Sequence, residues 1–229
     1  PQRTYQLSPT RGYSTSLMLI GMANDLTLHH ISVSSMDNNC YSSMDNNCYL
    51  LSSGGKGLLI DAADDAASLL QLAAEHDVTI TDVLTTHRHH DHVRALPQVL
   101  EATGATHWAP FLDAPAIPAE VDRTLNDGDT LDFASHRFPV SILRGHTPGG
   151  ACLGARIDGV PNLFVGDSLF PGGLGKTASE GDFVRLFNDV KEKIFDRCSD
   201  DTVVWPGHGK PTTIGAERPH LEEWWARRW

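Results

Sequence analysis

Thr86-His87-Arg88-His89-His90-Asp91-His92 is the stretch on which the reading of this chain turns. The apolar run Ile80 to Thr85 before it has the character of a buried strand, and the segment from about Val93 to Thr103, closed by Gly104, has that of a helix. The histidine-rich stretch therefore falls in a strand-to-helix loop and presents His87, His89, Asp91 and His92. Imidazole and carboxylate are the donors that borderline divalent metals such as zinc prefer. Three further segments put a histidine or an aspartate beside glycine at the end of an expected strand: Arg144-Gly145-His146-Thr147-Pro148, Gly166-Asp167-Ser168 and Pro206-Gly207-His208-Gly209. Alone, a histidine is more often satisfied locally and a Gly-Asp-Ser is more often a turn. Four such segments in one chain, each following a strand, point to a metal site.

Outward from the motif, strand and helix patterns alternate. Leu26 to Val33, Tyr49 to Ser53 and Lys56 to Ala62 read as strands, and Asp64 to His76 reads as an amphipathic helix with acids at its start. Thr124 to Leu143 is β-rich around the turn Asn126-Asp127-Gly128-Asp129, and Ala151 to Ile157 and Asn162 to Val165 are further strands. A helix over about Asp182 to Arg197, a strand Thr202 to Trp205 and a tail helix over Leu221 to Arg228 complete the pattern. No linker divides it, so residues 25–229 are expected to form one α/β domain. Residues 1–24 are rich in Ser and Thr and lack acids; they could pass for a transit peptide, but an upstream or cloning-derived extension, or disorder, is the plainer expectation. Ser34 to Tyr41 recurs letter for letter as Ser42 to Tyr49, which reads as a recent duplication or a sequence artefact and is expected to leave the chemistry untouched.

The 229 residues carry 18 Lys and Arg against 29 Asp and Glu, a formal charge of −11. That balance disfavours a nucleic-acid partner, which needs clustered cations to neutralise phosphates. With 40% hydrophobic and 21% charged residues and no membrane-length apolar run, the composition is that of a water-soluble globular protein without a membrane partner. Four cysteines without a CxxC pair suggest no disulfide framework and a reducing, cytoplasmic location.

The segments THRHHDH, GHTPG, GDSLF and PGHG resemble the signature motifs of the metallo-β-lactamase-fold hydrolases, and within them the small glyoxalase II-like (hydroxyacylglutathione hydrolase-like) branch. The resemblance implies a four-layer αββα sandwich with a dinuclear centre at one edge. It assigns His87, His89 and His146 to one metal and Asp91, His92 and His208 to the other, with Asp167 bridging. The implied cofactors are two divalent ions, zinc first, with iron or manganese as substitutes. The implied reaction is attack by a metal-bridging hydroxide on the carbonyl of a thioester, or of a related ester or lactone, with Asp91 and Asp167 as the catalytic carboxylates. The substrate would be a small molecule, such as a thiol-carrier thioester.

This sequence departs from the resembled proteins in places. Only 21 residues follow His208, which leaves out a long helical segment used for glutathione. Lys176, in Gly172-Gly173-Leu174-Gly175-Lys176-Thr177, stands near a basic residue that holds the carrier's carboxylate, although an exposed loop lysine is an equally good reading. Thr147-Pro148-Gly149-Gly150 lacks a histidine that many relatives carry there. His29, His30, His76, His90, His107, His136 and His220 lack ligand spacing, and Trp224, Trp225 and Trp229 are expected to pack the tail helix. Cys152 and Cys198 have no histidine partner near in sequence, which disfavours a thiol nucleophile. A competing reading on the same motifs is a mononuclear iron persulfide dioxygenase using His87, His146 and Asp167. A phosphodiesterase or a β-lactamase ranks lower. The acyl group, the metal and the oligomeric state are not legible.

Overall fold

Two six-stranded mixed sheets stack face to face, with helices on the outer side of each. The structure is a computed structural model that describes residues 25–33 and 46–228. The expectation for residues 1–24, the first copy of the octapeptide and Trp229 lie outside the described residues. The first sheet runs in chain order through β1 (Thr27–Val33), β2 (Asn46–Ser53), β3 (Lys56–Ile60), β4 (Thr79–Leu84), β5 (Thr106–Pro110) and β6 (Arg123–Leu125). The second contains β7 (Thr130–Phe133), β8 (His136–Leu143), β9 (Gly150–Ile157), β10 (Val160–Gly166), β13 (Val203–Pro206) and β14 (Thr212–Thr213), in the order β14-β13-β10-β9-β8-β7. A small ribbon, β11 (Leu169–Phe170) with β12 (Gly173–Leu174), projects after β10.

Consecutive apolar residues enter different cores because side chains alternate across a strand. Leu51, Leu58 and Ile60 face the second sheet's Phe138, Val140, Leu153 and Phe164, while Leu50 and Leu59 face outward. That outer face is covered by α1 (Ala66–Glu75) and α2 (Leu96–Thr103), through Leu69, Ala73, Leu96 and Val99. The second sheet repeats the pattern: Cys152, Leu163 and Val165 face α3 (Glu180–Val190) and α5 (Leu221–Arg227), where Phe183, Leu186 and Trp224 lie. These three buried layers are the αββα sandwich. Local signals bound the helices. The Asp65 side chain accepts from the Ser68 amide at the start of α1, Gly104 ends α2 at φ +63°, and Ser179 caps α3.

The strand β5 and the short β14 and α4 (Ile214–Glu217) have no clear local pattern and exist through pairing and packing. The helix expected over 182–197 starts two residues earlier, and beyond Val190 it widens into five residues with π-type turns, Lys191–Phe195.

Strand direction places the motifs. β9 is antiparallel to both β8 and β10, and β10 is parallel to β13, so β8, β10 and β13 all end at one edge of their sheet. The end of β4 is stitched to that edge by a 2.8 Å hydrogen bond from the Ala151 amide to the Thr86 carbonyl.

Trp224 is 1% exposed and meets Phe195 edge-on. Trp224→Ala is expected to lower the unfolding free energy by about 3–5 kcal/mol in urea denaturation, the cost of emptying a large buried site.

Candidate metal centre

The loops after β4, β8, β10 and β13 bring all seven sequence-predicted ligands together. His87, His89 and His146 form one group whose donor atoms lie within 4.8 Å of one another, and Asp91, His92 and His208 form a second. Within the groups, His87 Nε2 and His89 Nδ1 are 3.2 Å apart, and His92 Nε2 and His208 Nε2 are also 3.2 Å apart. Asp167 lies between the groups, its oxygens 3.4 Å from His92 Nε2, 3.4 Å from His208 Nε2 and 3.6 Å from His146 Nε2. Donors about 2.0–2.1 Å from a tetrahedral ion stand about 3.3 Å from one another, so these separations suit a metal better than direct contacts between the side chains. His146 Nε2 is buried and has no hydrogen-bond partner among the described residues. A lone pair aimed into such a cluster without a partner is what a metal ligand presents. The donor set therefore fits divalent metal.

The outer ring nitrogens are fixed by groups that sequence reading missed. Asp61, 2% exposed and in the left-handed region at φ +60°, accepts from the Thr86 amide and hydroxyl at 2.7 Å each and pairs with His92 Nδ1 at 2.9 Å. His146 Nδ1 donates to the Lys176 carbonyl at 2.7 Å, which leaves its Nε2 free to ligate. Asp113, fully buried, accepts from the Arg88 amide and the Gly149 amide at 3.0 Å each, tying the first motif loop to the loop after β8. Gly207 is required: a Cβ there would collide with the Asp167 carboxylate and with His92.

The octapeptide duplication does reach the site, contrary to expectation. Asn46 of the second copy donates to Asp91 Oδ2 at 3.2 Å, Asn47 donates to the Pro206 and Gly209 carbonyls, and the Tyr49 hydroxyl donates to Pro206 O at 2.6 Å. These bonds hold the loop that carries His208. Asp61 lay at the end of an apolar strand, a signal the sequence does offer. Asn46 and Asp113 had none, because their partners are remote in sequence.

Electrostatics divides the two groups. Burial alone would raise the Asp167 carboxyl, but hydrogen bonds from His208 and His92 outweigh it and hold the group well below its ordinary range. The hydrogen bond from His208 likewise lowers Asp91. Burial pulls His92 down, yet Asp61 and Asp167 lift it to about 10; His208, opposed by burial in the same way, is lifted to about 9 by Asp167 and Asp91. His87 and His89 are instead lowered, chiefly by burial, and stay neutral at pH 7.

A cleft of about 1610 Å³ opens over His146, Asp167 and His208. Phe170, Pro171 and Leu174 form an apolar wall, and Lys176, Lys210 and Arg228 bring cations to the lining. Residues read as structural lie outside the centre. His107 is buried between the Thr85 hydroxyl and the Glu120 carbonyl, His29 stacks on His76, and Trp224 packs the tail helix. Burial raises the Cys152 thiol well above its ordinary value, which suits an inert core residue. Among the described residues no helix is long and apolar enough to cross a membrane.

Residues 44–208 match the family described as the metallo-beta-lactamase superfamily. The chain is 32% identical to hydroxyacylglutathione hydrolase GloC of Haemophilus influenzae over 179 residues, covering 70% of this chain and 83% of that protein. It spans just over half, 56–57%, of longer hydroxyacylglutathione hydrolases that it matches at 34–36% identity. Among solved structures, it is similar to TTHA1623 in a di-iron-bound form (TM-score 0.65, 27% identity, 82% of this chain and 96% of that one). It is also similar to ETHE1 from Myxococcus xanthus (TM-score 0.68, 27% identity, 78% and 79%).

Two outcomes follow from the site. Asp61→Asn is expected to weaken metal binding about 10–100-fold, read by competition with a chromogenic chelator, because His92 loses the partner that orients it and raises its basicity. In metal-free protein at pH 7, His92 and His208 hold protons that metal must displace, so binding releases about two protons and weakens as pH falls, measurable by calorimetry in buffers of different ionisation enthalpy. The sign for the metal-free fold is opposite: raised histidines stabilise it fully below about pH 6.5, and that contribution is lost as pH rises through about 9–10.

Proposed function

The chain belongs to the metallo-beta-lactamase superfamily, and from that premise we propose that it is a dinuclear metal hydrolase acting on a small-molecule thioester. The observation that supports this reading is the position of Asp167, within 3.6 Å of ligand atoms from both three-residue groups. In this reading His87, His89 and His146 hold one ion, Asp91, His92 and His208 hold the other, and Asp167 is shared. Two divalent ions in such a site supply a hydroxide at neutral pH and polarise the scissile carbonyl.

The chain's own residues set up the rest. Asp91 and Asp167 are ionised throughout the neutral range and leave the centre a net positive charge once it is filled, which favours an anionic or carbonyl-bearing substrate. The Asn46 amide, donating to Asp91, keeps that carboxylate turned toward His208. Among the described residues the cleft presents no dedicated general acid, and a thiolate leaving group needs little protonation. Lys176 and Lys210, on the cleft lining, would hold an anionic thiol carrier, and the apolar wall of Phe170, Pro171 and Leu174 would take its hydrocarbon portion. The similarity to GloC supports the thioester class.

Elemental mass spectrometry on protein purified without added metal is expected to find about two divalent ions per chain, zinc first. Such protein should hydrolyse a panel of thioesters and lose that activity to a chelator. Asp167→Ala and His146→Ala should each cut turnover by at least about a thousandfold; a variant that keeps full metal and full activity defeats the assignment. The likeness to ETHE1 from Myxococcus xanthus gives the second reading its footing. One iron per chain, with oxygen uptake on a persulfide and no thioester hydrolysis, would replace the hydrolase with a mononuclear iron persulfide dioxygenase.

A further inference from the structure

A second cavity, of about 460 Å³, adjoins the large cleft, and the two share His146 and Ala178 as a common wall. Its lining has an unusual charge for a chain of net −11: three arginines, Arg88, Arg144 and Arg185, against one lining acid, Asp182. They come from separate elements that backbone geometry forces together. Arg88 sits inside the first histidine motif, where the buried Asp113 anchors its amide. Arg144 directly follows β8 and is forked onto the buried Asp189, with Nε and a terminal nitrogen each donating at 2.8 Å. Arg185 lies on α3 and pairs with Asp182 at 3.1 Å. Gly145, at φ +142°, makes the contact possible: a Cβ there would strike the Asp182 carbonyl, so only glycine lets the turn carrying Arg144 and His146 press onto α3.

One cation on this wall is left over. The Arg88 guanidinium has no ion-pair or hydrogen-bond partner among the described residues, while Arg144 and Arg185 already have one carboxylate each. An unpaired guanidinium in a cavity lined by two further arginines suits an oxyanion, and a planar carboxylate matches the arginine fork. Leu112, half-exposed, adds an apolar wall suited to a few methylenes.

We propose that this cavity is the acyl subsite and that the preferred acyl group is a short chain ending in a carboxylate, as in the half-thioester of a dicarboxylic acid. The inference rests on the thioester reading for the identity of the acyl group. Its carbonyl would lie in the cleft beside His146, and its far end would pass that ring to reach Arg88 and Arg185. Asp182 and Asp189 keep the other arginines compensated, so Arg88, without a partner among the described residues, selects a single negative charge.

Succinate and butyrate share a chain length and one carboxylate and differ only in the second. Calorimetry on the metal-loaded full chain is expected to show succinate binding about tenfold more tightly than butyrate, the scale of one charge-assisted contact. Arg88→Gln should remove most of that ratio, and Arg185→Gln should reduce it; both side chains are at the surface, and circular dichroism checks the fold. Equal binding of the two acids, or a ratio unmoved by Arg88→Gln, overturns the subsite. In parallel, succinyl and butyryl thioesters of one thiol are compared by kcat/KM. Hydrolysis of both without preference defeats the subsite and keeps the hydrolase, whereas preferential succinate binding without any thioester hydrolysis keeps the anion subsite and defeats the hydrolase.

Discussion

A buried carboxylate under the histidine motif, Asp61, is the interaction on which the site depends. Its two oxygens take three contacts, from the Thr86 amide, the Thr86 hydroxyl and His92 Nδ1. A buried anion of this kind is stable only when such donors replace its water. Meeting that condition fixes where the chain turns after β4 and which nitrogen of His92 faces the centre. Asp113 does the same for the neighbouring loops, through backbone amides alone. Two satisfied carboxylates thus hold the histidine loop, Asp61 at Thr86 and His92 and Asp113 at Arg88.

The sandwich supplies direction where the carboxylates supply position. Because β8, β10 and β13 run the same way, their C-terminal ends open on a single edge, and the loop after β4 joins from the facing sheet. Each loop needs only a few residues to reach the centre. Side chains held this way keep their geometry through the packed layers behind them, Leu51, Ile60 and Phe164 among others, so the site is preorganised by the core.

Charge is distributed unevenly over this frame. The chain is acidic overall, yet Lys176 and Lys210 stand along the cleft and Arg88, Arg144 and Arg185 gather at the adjoining cavity. Such focusing draws an anion toward these two adjoining cavities and leaves the acidic remainder to repel it.

The sequence by itself determined the donor set and most of the strands. The seven donors were legible because imidazole and carboxylate beside glycine at strand ends have few other uses, and the strands β2, β3 and β10 were legible because short continuous apolar runs bounded by turns mark buried strands. The start of α1 and the end of α2 at Gly104 were local as well, since a cap acts within one turn, whereas the Ser179 cap of α3 went unread. What only the tertiary structure decided is everything that depends on partners distant along the chain. Asp113 looks like an ordinary loop aspartate until Arg88 and Gly149 fold onto it, and the duplicated octapeptide looks inert until Asn46, Asn47 and Tyr49 meet the His208 loop. The strand β5 exists because β4 and β6 pair with it, and the arginine cavity exists because Gly145 lets two elements touch. Local patterns encode dihedral preference and burial period, whereas these features are set by which surfaces meet, and that is known only once the chain has closed on itself.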